Sequence, residues 1–200
     1  MKTIGLTGGS GSGKGTVGKL LSSFGCYVVD TDALYHGMTE RSSSCSEEII
    51  AHFGESVRNS RGGIDRPSLA KIVFEKDKGS LLILNQIAHK HILNECEKIA
   101  KLQKENGCEI LVYDAPQLFE SGLDKKCDIT LCIVADVETR KLRICKRDGI
   151  SEQKASARIN SQYSDDYFKT NCDYCITNDS DIAHLLANVK QILNEIKGIS

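Results

Sequence analysis

The sequence has no tryptophan, and its 26 lysines and arginines against 27 aspartates and glutamates leave a net charge of only −1. A global basic field of the kind that holds nucleic acid is missing, so no nucleic-acid partner is expected. No apolar run approaches the ~20 residues that span a bilayer, and the first residues lack the charged-then-apolar pattern of a signal peptide. No membrane association is expected, and the chain reads as a soluble cytoplasmic protein, a monomer or weak homo-oligomer. Internal repeats and low-complexity linkers are also lacking. The 200 residues are expected to build one core with at most a small appended lobe.

Cysteine is not scarce, since nine are present, but what a cysteine site needs is. The number is odd, the positions are scattered, and Cys26, Cys108 and Cys132 lie inside apolar runs. Cys172 and Cys175 form a lone C-x-x-C with no second pair nearby. His89 and His91, two apart, point to different sides of a helix and complete no zinc set. Reduced thiols serving as small apolar residues are the expectation.

What the chain does have is alternation. Short apolar runs at residues 4–6, 26–30, 110–114, 129–134 and 174–177 are separated by helical patterns, the mark of a parallel sheet covered on both faces. The closing segment is amphipathic, with Ile182, Leu185, Leu186, Val189, Leu193 and Ile196 in one stripe and Asp179, Ser180 and Asp181 as caps. Two segments interrupt the order. Residues 39–108 read as a helical insertion, with Leu84, Ala88, Ile92, Cys96 and Ile99 along one long helix. Residues 138–170 read as a basic helical flap. The expected core is therefore 1–38, 109–137 and 171–200. Ligands of open α/β sheets sit at the carboxyl ends of strands, the edge from which both insertions leave.

The richest local signal is Gly8-Gly9-Ser10-Gly11-Ser12-Gly13-Lys14-Gly15-Thr16, between the first apolar run and an amphipathic segment carrying Val17, Leu20, Leu21 and Phe24. That strand, glycine loop and helix context is what a phosphate-binding P-loop requires. Glycines let successive N–H groups turn toward an anion, and the positive end of the following helix adds to the attraction. Gly11, Ser12, Gly13, Lys14, Gly15 and Thr16 are the expected nucleotide contacts, with Lys14 reaching the outer phosphates. A bland flexible turn needs neither the lysine nor its flanking elements.

Asp30-Thr31-Asp32 closes the second apolar run. An aspartate there can be a helix cap, but phosphoryl transfer to an alcohol needs a carboxylate that orients the hydroxyl and takes its proton. Asp32 is the expected base, with Asp30 as its support or as a second group in the magnesium shell. Asp114 ends the third run, where it serves either as a carboxylate near Mg²⁺ or as a turn residue before Pro116. Arg140, Lys141, Arg143, Lys146 and Arg147 crowd one short segment, and such a run is usually a solvated face. Arg143 and Arg147, four apart, share a face and suit a flap that closes over a triphosphate.

Beyond the P-loop, the chain carries Asp30-Thr31-Asp32-Ala33, Arg66-Pro67-Ser68-Leu69, Leu84-Asn85-Gln86-Ile87-Ala88-His89, the Pro116-Gln117-Leu118-Phe119-Glu120 segment, Arg143 with Arg147-Asp148, and Ser161-Gln162. Together these resemble the dephospho-coenzyme A kinases over nearly the whole length. The resemblance implies a P-loop fold with a five-stranded parallel sheet, a helical coenzyme A-binding region and a lid. It implies ATP-dependent phosphorylation of the ribose 3′-hydroxyl of dephospho-coenzyme A, with ATP and Mg²⁺ as cofactors. It makes Asp32 the base, places Arg66, His89, Pro116, Leu118, Phe119 and Glu120 near the acceptor, and assigns Arg143 and Arg147 to the lid. Thr16 and Asp114 are the expected metal residues. Three positions depart from the family pattern: Gly15 where serine follows the P-loop lysine, Lys90 where proline follows the histidine, and Gln117 for leucine. Gly15-Thr16 is shared with adenylate kinases, so a nucleoside monophosphate kinase and an inactive ATP-binding relative are the competing readings.

Overall fold

A computed structural model describes residues 1–75 and 78–198 of the chain. Two compact units emerge: one of residues 1–29 and 106–200, the other of residues 30–105.

The first unit is built on the parallel sheet. Strands β1 (Lys2–Thr7), β2 (Tyr27–Asp30), β3 (Ile110–Asp114), β4 (Ile129–Val134) and β5 (Tyr174–Thr177) stand in the order β2-β3-β1-β4-β5. Leu6 of β1 pairs with Asp114 of β3 on one side and Leu131 of β4 on the other. β3 and β4 are buried at every position, which is why they read as continuous apolar runs rather than alternating ones. On one face Ile4, Leu131 and Ile133 pack against helices α1 (Lys14–Ser23) and, at the end of the chain, Ile182–Gly198. On the other, Cys132 and Val134 meet Phe168. The side chains of β4 thus divide strictly between two layers, as strand geometry demands.

In the second unit, α2 (Thr31–Glu40), α3 (Ser44–Phe53), α4 (Arg66–Glu75) and α5 (Lys78–Glu105) close around Ile49, Val57, Leu69 and Val73. Asp30 caps α2 by accepting from the Ala33 N–H, 2.9 Å, and Ser43 caps α3 in a reciprocal box with Ser46. The turn at Gly62-Gly63 makes two isolated bridges, Arg41 with Gly62 and Arg58 with Ile64. The unit runs from Asp30 to Glu105 and includes α2, which packs against α3 and α5.

Residues 138–170 group with the sheet unit. They form α6 (Val137–Asp148) and α7 (Glu152–Asn160), packed through Ile144, Ala155 and Ile159, and α8 (Asp165–Asn171) follows. The last helix, α9 (Ile182–Gly198), is started by Asp181, which accepts from the His184 N–H. Its stripe buries Leu185, Val189, Leu193 and Ile196, whereas Ile182 is 60% exposed, a turn too early to reach the sheet. All nine cysteines are free thiols. Among the described residues no helix is long and apolar enough to cross a membrane.

Candidate active site

β1 ends at Thr7, and the chain turns through residues 8–13 into α1. Gly8, Gly11 and Gly13 take φ values of +146°, +80° and +100°, a region closed to most side chains. Space forbids side chains there as well. A Cβ would lie 2.3 Å from the Ile133 carbonyl at Gly8, 2.6 Å from the Arg140 carbonyl at Gly11, and 2.1 Å from Asn178 Nδ2 at Gly13. The loop is thus a cradle built from bare backbone. Gly13 precedes α1 without any side-chain cap, and the helix has no acidic residue in its first turn. Its opening N–H groups and dipole therefore favour an anion. The Ser12 hydroxyl is buried with no hydrogen-bond partner among the described residues.

Two side chains mark the mouth of this cradle. Lys14, the first residue of α1, forms an ion pair with Asp114 at the end of β3, both largely buried. Gly18 lets the helix run past that carboxylate, since a Cβ there would sit 3.2 Å from Asp114 Oδ2. Thr16 and Gly15 are exposed, and a Cβ on Gly15 would meet nothing within 4 Å.

The loop is also gripped from outside. Asn178, directly after β5, donates from Nδ2 to the Ser12 carbonyl, 2.7 Å, while its own N–H donates to the Val134 carbonyl. Arg143 of α6 donates to the carbonyls of Asn178 (3.0 Å), Gly11 and Ser12 (both 3.4 Å). The Ser10 N–H donates to Gln162 Oε1, 2.8 Å. Arg147 goes elsewhere. It pairs with Asp148, which Arg158 also holds, and those hydrogen bonds keep the Asp148 carboxyl well below its ordinary range. Asn178 has little signal in the sequence beyond its place just past a strand end.

Of the residues expected near an acceptor, the segment after β3 places Leu118 wholly inside. Its methyl groups stand 2.9 Å from where a Gly5 Cβ would be, so it anchors the segment to β1. Pro116 is half-buried and Glu120 exposed. Phe119 meets Tyr167 edge to face, 5.6 Å between centroids, and Tyr163 stacks on Tyr167 at 3.9 Å.

In the helical unit, Asp32 is exposed in the first turn of α2. Arg66 lines a cavity of about 570 Å³ with Ala33, His36, Gly37, Glu40, Asn59 and Ile64, so one face of α2 forms its wall. Burial pushes the nearby Tyr35 phenol up to about 12, and the Arg66 charge pulls against that rise. His89 is half-buried on α5. Lys90 pairs with Glu48 of α3, and His91 Nε2 lies 2.7 Å from the same carboxylate.

A family model described as dephospho-CoA kinase matches residues 2–184. The dephospho-CoA kinase of Fusobacterium nucleatum is 38% identical over 193 residues, covering 96% of this chain and 97% of that protein. The one from Aquifex aeolicus is 35% identical over 196 residues, 98% of each. Among solved structures, TT1252 from Thermus thermophilus aligns with a TM-score of 0.77 and 30% identity over 97% of both chains. The dephospho-CoA kinase from Campylobacter jejuni does so with a TM-score of 0.72 and 26% identity over all of both. A shikimate kinase from Acinetobacter baumannii, 15% identical with a TM-score of 0.53 over 100% of this chain and 95% of that one, shares the fold. With a family model matched over residues 2–184 and a relative 38% identical over 96% of its length, the chain belongs to the dephospho-CoA kinase family.

Proposed function

We propose that this protein transfers the γ-phosphoryl group of ATP to the ribose 3′-hydroxyl of dephospho-coenzyme A, giving coenzyme A and ADP. The observation that carries the reading is the glycine cradle opening into an uncapped helix with Lys14 at its mouth, in a chain of this family. Residues 11–16 bind the phosphate chain through main-chain N–H groups, and Lys14 neutralises its outer charge. Asp32 accepts the proton of the attacking hydroxyl as the new P–O bond forms and the bond to ADP breaks. Arg66, His89, Pro116, Phe119 and Glu120 orient the acceptor, with Leu118 fixing their segment from below. Arg143 holds the loop's shape, and Arg147 belongs to the mobile flap. The oxygen donors Thr16 and Asp114 suit Mg²⁺, a hard cation. When bound, it spreads charge off the transferring phosphoryl.

Mass detection of phosphorylated product from ATP, Mg²⁺ and dephospho-coenzyme A tests this directly. Coenzyme A should form, with AMP and CMP turned over far more slowly. Turnover of a nucleoside monophosphate alone would move the protein to the competing kinase class. Tight ATP binding with no acceptor-dependent ADP would make it an inactive relative.

A further inference from the structure

Arg140 belongs to the run of cations on α6, yet it does not behave as a solvated face residue. Its side chain is among the largest that are wholly buried, only 2% exposed. Nε donates to the Ser10 carbonyl, 2.9 Å, and Nη1 to Asp165 Oδ1 at the start of α8, 2.8 Å. Nη2 is buried with no hydrogen-bond partner among the described residues. A desolvated guanidinium with one nitrogen unsatisfied is an unfavourable element for stability alone, and a hydrophobic side chain would fill the space at lower cost.

The phosphate loop is shaped around this group. Gly9 does not share the positive φ of Gly8, Gly11 and Gly13, so backbone conformation does not demand glycine there. Space does. A Cβ on Gly9 would stand 2.1 Å from Arg140 Nη2 and 2.8 Å from its Cζ. Gly11 is likewise closed by Arg140, through its carbonyl oxygen at 2.6 Å. Gly9 therefore makes room for the guanidinium, and Gly11 for the main chain of α6 at the same residue. The Ser10 peptide is pinned on both sides, its carbonyl by Arg140 and its N–H by Gln162.

We propose that Arg140 is a positioning residue for the phosphate loop, a buried cation, held by Asp165, that fixes the main chain of residues 9–11 and raises the loop's affinity for a polyphosphate. With the Ser10 carbonyl held on the guanidinium and the Ser12 N–H donating to the Gly9 carbonyl, 3.1 Å, the turn of residues 9–12 is fixed. The charge behind the loop is shielded from salt by its burial, unlike that of an exposed lysine. The inference rests on reading this loop as the seat of the nucleotide phosphates, but not on which acceptor is used.

The test is therefore made on binding rather than turnover. Titration calorimetry with ATP, and competition by inorganic pyrophosphate and by adenosine, is run on wild type, Arg140→Lys, Arg140→Gln and Asp165→Asn, each checked by thermal melting. Arg140→Gln is expected to weaken ATP and pyrophosphate about tenfold while leaving adenosine within about twofold, with Arg140→Lys in between. Asp165→Asn, which keeps the cation but frees it, should weaken pyrophosphate about threefold or more. Gly9→Ala should cost about tenfold in ATP affinity in the wild-type background. Added to the Arg140→Gln variant, the same change should cost about twofold at most, because the colliding atoms are gone. A lowered melting temperature with pyrophosphate affinity held within about twofold would overturn the proposal, as would equal loss for adenosine. Should Arg140→Gln not fold, unchanged pyrophosphate affinity in Asp165→Asn overturns it alone. Failure of wild type to bind ATP would instead strike the nucleotide reading itself.

Discussion

The sheet unit and the helical unit hold their charges in opposite ways. Around the phosphate loop, Lys14, Asp114 and Arg140 are nearly removed from water, and the arginines there address main-chain carbonyls. In the helical unit, Arg58 bridges Glu47 and Glu55 at 2.8 and 2.7 Å, with Glu55 76% exposed. Water screens the second set, and such pairs contribute little. Burial makes each contact of the first set expensive to lose. The difference teaches where precision lies: the loop is fixed by desolvated groups, the helical unit by its apolar centre.

Substitutions can break that contrast. Lys14→Ala should have the largest effect, about a thousandfold in kcat/KM together with weaker ATP binding, since it removes both the charge at the cradle's mouth and the cation facing a buried Asp114. Wild-type kinetics would remove Lys14 from the phosphates. Ile49→Ala, in the fully buried centre of the helical unit, should lower unfolding free energy by about 2–5 kcal/mol in urea while ATP affinity of the folded protein holds. A drop in ATP affinity as large as that of Lys14→Ala would erase the contrast. For Asp32→Asn, steady-state assays should give about a hundredfold fall in kcat with ATP affinity nearly intact. Equal turnover there rules out the base.

Smaller effects sharpen the picture. Gly15 lies inside α1 with open space at its Cβ. Gly15→Ser should raise stability by about 0.5 kcal/mol, and the restored hydroxyl should lower the Mg²⁺ requirement of the assay. An unchanged Mg²⁺ titration would show that the metal does not depend on this position. Smallest of all is an acid effect in the helical unit. Hydrogen bonds from Arg58 and Ser42 hold Glu47 at about 2, below its ordinary 4.5. Its contribution is complete above pH 4.5 and fades as pH falls toward about 2. Glu47→Gln should therefore flatten the melting-temperature slope across that window, and an identical slope would assign it to other carboxylates.

Much of the fold is legible in the sequence because fully buried strands leave unbroken apolar runs. Residues 110–114 and 129–134 coincide with β3 and β4 in this way, while the run 174–177 coincides with β5, where only Ile176 is buried. Periodicity also marks α5 and the stripe of α9, although it cannot say that Ile182 falls outside the packed turns. The boundary at Asp30 is invisible to it, since α2 follows β2 without a linker and only tertiary packing assigns it to the helices. For the site, the glycine motif announces the loop, but not what encloses it. Nothing in the spacing of Arg140, Arg143 and Arg147 distinguishes a buried cation from one paired on the surface with Asp148. Leu118 reads as part of a binding segment, whereas the packing over Gly5 makes it that segment's anchor.

Each hold on the loop ends on a peptide group: Arg140 on the Ser10 carbonyl, Gln162 on the Ser10 N–H, Arg143 and Asn178 on the Ser12 carbonyl. The grip is therefore blind to what residues 10 and 12 carry beyond the backbone. A library randomised at those two serines should yield many active members, small residues prevailing at the enclosed twelfth position. The same library at residues 8, 9, 11 and 13 should return almost nothing but glycine.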